Sequence, residues 1–305
     1  MRFMVLVKGN AQSEAGILPS EKLLSDMGKF NQEMTSAGVM QAGEGLKSSK
    51  YGFRVKQTGS KGAAKVTIVD GPFTESKEVI AGFWIITVAS KTEAINWIKR
   101  VPHTEGEIEI RQLYEMSDFP VADGDHAEGW REKEQAFRDA TDTAAPNASP
   151  PPRQPGTTRY LVALKADQGT ESGALPTEEA LTQMGALMDG LAKSGALLGG
   201  EGLKPSATGA RIKFDGEKRT VTDGPFSETK ELIAGYSLIQ VKTRDEAIAF
   251  ARDWLRVHVE TSRVPLAESV LEVRPLFELD DFPVGASEKP DGWRKQEQAM
   301  RDRLG

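Results

Sequence analysis

The chain contains itself twice. "RFMVLVKG" from Arg2 returns as "RYLVALKA" from Arg159, "GILPSEKLLSDMG" from Gly16 as "GALPTEEALTQMG" from Gly173, and "AGEGLKSS" from Ala42 as "GGEGLKPS" from Gly200. "DGPFTESKEVIAG" (Asp70 to Gly82) returns as "DGPFSETKELIAG" (Asp223 to Gly235), and "EIRQLYEMSDFPV" from Glu109 as "EVRPLFELDDFPV" from Glu272. "GWREKEQAFRD" from Gly129 closes the first copy and "GWRKQEQAMRD" from Gly292 the second. A period this long is domain-sized, which excludes a solenoid of short repeats. The expected organisation is a first domain over 1–139, a linker rich in Pro and Ala over 140–157, and a second domain over 158–305. The linker has no apolar periodicity and reads as extended and partly stiff.

Each copy has readable elements. Phe3 to Val7 is a nearly continuous apolar run, as in a strand buried on both faces. Ser20 and Thr177 stand where a hydroxyl N-cap opens a helix. Leu24, Met27, Phe30 and Met34 then recur at helical spacing, as do Leu181, Met184, Leu187 and Leu191. Gly38 and Gly195 follow as C′ residues. "VMQAGEGL" predicts a strand bent at its glycines, "YGFRVKQ" and "AKVTIVDG" a hairpin, and "GFWIITVA" a central strand. Ser90 with Glu93, and Thr243 with Glu246, predict capping boxes before a second helix. "EIEIRQLYEM" is the last strand, and the Trp-, Arg- and Glu-rich tails, Trp130 to Asp139 and Trp293 to Asp302, read as amphipathic helices. The unit is β-α-β-β-β-β-α-β, an α+β arrangement with helices on one face of a largely antiparallel sheet. The bare sheet face needs a cover, and the second copy supplies one: an intrachain pseudo-dimer, two sheets face to face. A tether holds the two units at roughly millimolar effective concentration.

Composition narrows the chemistry. With 39 Lys and Arg against 45 Asp and Glu the formal charge is −6, and no basic run appears, so nucleic acid is not an expected direct partner. There is no cysteine, which removes disulfides and thiolate chemistry and fits a reducing, cytoplasmic setting. The apolar run in "MRFMVLVKGN" is shorter than a signal-peptide core or a membrane span, so no membrane is expected. Three histidines without thiols give no metal-site spacing, and "GEGLK" lacks the length and the following Ser or Thr of a phosphate loop. No cofactor is expected.

"DGPFTESKE" and "DGPFSETKE", with flanking "GEGL" and "AGFWII" or "AGYSLI", resemble the signature of the YCII-related, or DGPF-domain, family. The resemblance covers about Arg2 to Pro120 and Arg159 to Pro283. It implies tandem ferredoxin-like units assembled as a dimeric α+β barrel. It also implies a regulatory role beside an extracytoplasmic-function sigma factor, since DGPF proteins are often encoded next to one. Some relatives resemble small-molecule enzymes with a His and an Asp facing a cleft. Here none of His103, His126 and His258 lies on the first helix of a unit, so that mechanism does not carry over.

The candidate residues have two readings each. In the DGPF turn, Asp70 and Asp223 accept backbone N–H bonds, Gly supplies an unusual φ, Pro fixes φ, and Phe73 and Phe226 anchor the turn. Alternatively the turn lines a cleft where those aspartates act as acid–base groups beside Glu75, Lys77 and Glu78 or Glu228, Lys230 and Glu231. Glu44 and Glu201, each between two glycines, reach a cavity or stand in water. Arg54 and Arg211 hold an anionic ligand or are exposed strand charges. Met27 and Met184 line an apolar pocket or pack a core. The leading reading is a small-ligand-binding or regulatory module; the alternative is a small-molecule enzyme using carboxylates.

Overall fold

The computed structural model describes residues 1–59, 64–73, 79–119, 135, 153–264, 266–282 and 298. Glu75, Lys77, Glu78, His126, most of the linker, both tails and the Lys230 side chain lie outside the described residues. In the first unit β1 (Arg2–Lys8) is followed by a short helix α1 (Ala11–Glu14), α2 (Glu21–Ser36), β2 (Met40–Gly45), the hairpin β3 (Phe53–Thr58) and β4 (Lys65–Asp70), then β5 (Ile80–Thr87), α3 (Lys91–Ile98) and β6 (Glu105–Gln112). The second repeats this as β7 (Thr158–Lys165), α4 (Gln168–Glu171), α5 (Glu178–Lys193), β8 (Leu197–Gly202), β9 (Ala210–Asp215), β10 (Lys218–Asp223), β11 (Ile233–Val241), α6 (Arg244–Thr261) and β12 (Glu268–Pro275).

Local chemistry sets the element ends. Ser20 and Thr177 accept the backbone N–H of Leu23 and Ala180, and Ser90 and Thr243 those of Glu93 and Glu246. Gly38 and Gly195 have φ of 70° and 69°, the left-handed region open to glycine at a helix end. The short helices α1 and α4, absent from the expected element order, are each opened by a capping box, Asn10 with Ser13 and Asp167 with Thr170.

Within a unit the sheet order is β6-β1-β5-β2, all antiparallel, which is the ferredoxin-like order. The complete sheets are larger: β10-β9-β6-β1-β5-β2 and β4-β3-β12-β7-β11-β8. The β3–β4 hairpin of the first unit therefore extends the second unit's sheet, and β9–β10 extends the first's. Phe53 pairs with Val273 and Thr58 with Glu268, while Ala210 pairs with Ile110 and Asp215 with Glu105. The exchange has a physical basis. It covers the edges of β6 and β12. It also buries one face of each hairpin under the other unit's helices: Phe53 and Val55 join Leu255 and Phe250, and Ile212 and Phe214 join Ile98 and Phe3. Full burial of side chains of this size stabilises by about 1.5–3 kcal/mol each.

Between the sheets lies a third core of Met4, Leu6, Phe83, Leu161, Ala163 and Tyr236, drawn from both units. The sheets pack face to face with their helices outward, as expected for two tandem ferredoxin-like units of the dimeric α+β barrel type. Among the described residues no helix is long and apolar enough to cross a membrane.

Candidate functional site

The DGPF turns are clasps between the units. Gly71–Pro72 and Gly224–Pro225 are cis peptides. Neither glycine has a positive φ; what each position requires is close approach. A Cβ on Gly71 would lie 1.8 Å from the carbonyl oxygen of Ser49, and one on Gly224 1.9 Å from that of Ser206. The N–H of Phe73 donates to Ser49 Oγ at 3.0 Å, and that hydroxyl donates to Glu14. The Phe226 N–H donates to Ser206 Oγ at 3.1 Å, which donates to Glu171 Oε2 at 2.5 Å. The Phe rings are anchors, with the Arg54 guanidinium 4.0 Å above Phe73 and Arg211 4.2 Å above Phe226.

Those arginines lead inward. Arg54 Nη2 lies 2.8 Å from Glu272, and Arg211 Nη2 2.9 Å from Glu109, each carboxylate contributed by the other unit. Glu109 also meets Lys8 at 3.1 Å and Arg111 at 3.2 Å; Glu272 meets Lys165 at 3.6 Å and Arg274 at 3.2 Å. Arg111 then reaches Glu171 at 3.0 Å and Arg274 reaches Glu14 at 3.5 Å, returning to the serine of the turn. Burial opposes the charge on both central carboxylates, but the surrounding cations prevail and hold Glu109 and Glu272 at about 2. Neither Glu109 nor Glu272 stands among the candidate residues named from the sequence. Their signal is Glu-Ile-Arg and Glu-Val-Arg in otherwise apolar strands: spacing of two puts both charges on one face.

Asp70 and Asp223 lie at the surface, not in a cleft, and pair with the first residue of the opposite unit's third helix, α6 and α3 respectively. Asp70 bonds Arg244, and Asp223 bonds Lys91 at 2.8 Å, with the two carboxylates 71% and 69% exposed. Among the described residues neither carboxylate accepts an N–H of its own turn. Arg54 and Arg211 are committed to buried carboxylates rather than exposed. Glu231 lies 3.7 Å from Arg211; burial and then Glu228 push its carboxyl up. Met27 packs against the first unit's core.

Glu44 and Glu201 belong to a second pair of inter-unit clusters. Arg2 of the first unit lies 2.6 Å from Glu201 and 3.1 Å from Glu115; Arg159 bonds Glu44 and lies 3.0 Å from Glu278. Burial opposes the charge on both arginines, yet their carboxylate neighbours hold each pKa above the ordinary arginine value.

Glu201 does reach a cavity. About 590 Å3 of space lies beside α5 and α6 and around β8, the edge strand of the second sheet. Leu181, Met184, Met188, Leu197 and Trp254 give it apolar walls. Glu201, Ser237, Tyr236 and His258 supply polar groups, and Tyr114 with Phe119 close it from the first unit. Burial pushes the Tyr114 phenol up, so it stays a neutral donor at ordinary pH. His258 Nε2 lies 3.0 Å from Asp167, the N-cap of α4. Burial pushes Asp167 up, but its bonds from His258 and Thr170 prevail and hold it below its usual value. The pairing was invisible along the chain because 90 residues separate the partners and no His occupies the matching place in the first copy. Among the described residues no group of three His, Asp or Glu side chains comes together to hold a metal ion.

Comparison with known proteins agrees with the repeats. The YCII-related domain matches residues 1–117 and again 158–264. An uncharacterized protein of Rhizobium meliloti (strain 1021) is 38% identical over 74 residues, which are 24% of this chain and 54% of that one. The chain thus spans about half the length of that curated relative. A mutant chlorite dismutase from Candidatus Nitrospira defluvii, in complex with cyanide, aligns over 100% of this chain and 94% of its own, at 8% identity and a TM-score of 0.33. Matched in both repeats and over most of its length, the chain belongs to the YCII-related domain family.

Proposed function

We propose that this protein is a cytoplasmic small-molecule-binding module with a regulatory output, and that its ligand enters the cavity of the second unit. The observation that carries the reading is the cavity itself: about 590 Å3, apolar walls, and a few polar groups among its lining residues, Glu201, Ser237 and His258. Small-molecule sites run to about 300–1,000 Å3 with this distribution of chemistry. The DGPF turns serve this reading as fasteners, because their backbone N–H groups are bonded to serines of their own unit and their aspartates pair across the units. The output partner in this reading is a regulatory protein of the sigma-factor class, which rests on the family resemblance alone.

A metabolite screen by thermal shift on the full chain, with calorimetry of each hit, tests the reading. A ligand whose binding is lost on Met184→Trp, which narrows the cavity, supports it; a screen without a hit, or hits indifferent to that change, defeats it. Pull-down with a sigma factor, with and without the hit, tests the output.

A second reading is enzymatic, favoured by one observation: Glu201 and His258, the latter paired with Asp167, line the same cavity. Acid–base chemistry on a bound small molecule would then use Glu201 and His258. Turnover that survives Glu201→Gln and His258→Gln together would remove this assignment.

A further inference from the structure

The two repeats differ where the cavity lies. In the first unit the outer face of the sheet is covered by Trp84, which is 5% exposed. Its Nε1–H donates to Asn31 Oδ1 at 3.0 Å, and Phe30 meets it edge-on at 6.4 Å between ring centres. The indole lies against Gly43, where a Cβ would stand 2.8 Å from Trp84 Cδ1. Strand register identifies the counterparts. Trp84 pairs with Gly43 on β2, and Ser237 pairs with Gly200 on β8. So Ser237 replaces Trp84 and Gly200 is retained, and the aligned helix repeats put Met188 where the first unit has Asn31. All three of these second-unit residues line the cavity.

The second unit thus keeps the glycine bed on which an indole rests in the first and omits the indole. We infer that the cavity binds a planar aromatic ligand of bicyclic size, its ring lying on Gly200 beside Ser237 where the Trp84 ring lies in the first unit. This deepens the small-molecule reading above and rests on it. Trp254 offers an aromatic neighbour, and the Met188 sulfur a soft contact for a ring edge. The Asn31 carboxamide that accepts the indole N–H has no counterpart, since Met188 stands there. The site therefore reads ring shape more than a ring N–H, and quinoline and indole bind alike.

The test is calorimetry with indole, quinoline and cyclohexanol on the full chain and on Ser237→Trp, which fills the bed from within. The expected result is one aromatic probe per chain, cyclohexanol bound at least roughly tenfold more weakly, and aromatic binding lost by at least roughly tenfold in Ser237→Trp. Trp84→Gly empties the first bed, and indole should then bind twice per chain. Failure of indole and quinoline to bind, or binding untouched by a folded Ser237→Trp, overturns the inference. Binding of cyclohexanol in preference, lost in Ser237→Trp, overturns the aromatic class but leaves the small-molecule site standing. Silence from every probe and from the metabolite screen defeats both. If Ser237→Trp does not fold, Trp84→Gly decides: no gain of an indole site overturns the inference.

Discussion

Glu109→Gln is expected to destabilise the protein by about 3–5 kcal/mol at neutral pH, because it strips the anion from a buried cluster and keeps the shape. The Glu109 side chain is 0% exposed, and three cations surround it: Lys8 at 3.1 Å, Arg111 at 3.2 Å and Arg211 at 2.9 Å. Arg111 is itself 0% exposed and Lys8 7%, so water cannot take the place of the carboxylate. A second route gives a similar size. The carboxyl is held at about 2 against an ordinary 4.5, which corresponds to about 3–4 kcal/mol at about 1.4 kcal/mol per pH unit. The sign follows from a folded-state pKa below the unfolded one. This contribution is complete above about pH 4.5 and is lost as pH falls toward 2. Glu272, also held at about 2, contributes in the same window. Urea unfolding as a function of pH measures both effects. The variant should lose stability at about pH 7, and its acid slope should be shallower than the wild type's by up to about 1.4 kcal/mol per pH unit. A loss under about 1 kcal/mol with an unchanged acid slope would refute the reasoning, since the cations would then be hydrated.

Asp70→Asn and Asp223→Asn should each change stability by no more than about 1 kcal/mol, because exposed ion pairs contribute little; urea midpoints check this. Gly71→Ala should destabilise by several kcal/mol or prevent folding, since its Cβ would meet the Ser49 carbonyl oxygen at 1.8 Å and backbone has to move; circular dichroism and thermal unfolding report it. Ser49→Ala should cost about 1–3 kcal/mol by leaving the buried Phe73 N–H without its acceptor, and Ser206→Ala should behave alike at Phe226, both measured by urea unfolding.

Much of the fold was legible along the chain. Tandem repetition, element order, N-caps at Ser20 and Thr177 and C′ glycines at 38 and 195 are local: each depends on residues within one turn or one strand of its neighbours. The face-to-face pairing followed from hydrophobic bookkeeping, because a sheet with one bare apolar face and a covalently attached copy has few other ways to cover it. Only the tertiary structure decided where the hairpins go. The alternation of Phe53, Val55 and Gln57 is satisfied by any sheet edge, so local pattern cannot choose between the chain's own unit and the other. The roles of charged residues were equally hidden. Asp70 and Arg54 look alike in a strand pattern, yet one ends at the surface on Arg244 and the other beside a carboxylate buried 218 positions away. The replacement of Trp84 by Ser237 is plain in the aligned repeats, but its consequence is a volume. Volume depends on what α5 and α6 do above the sheet, which no single strand of sequence records.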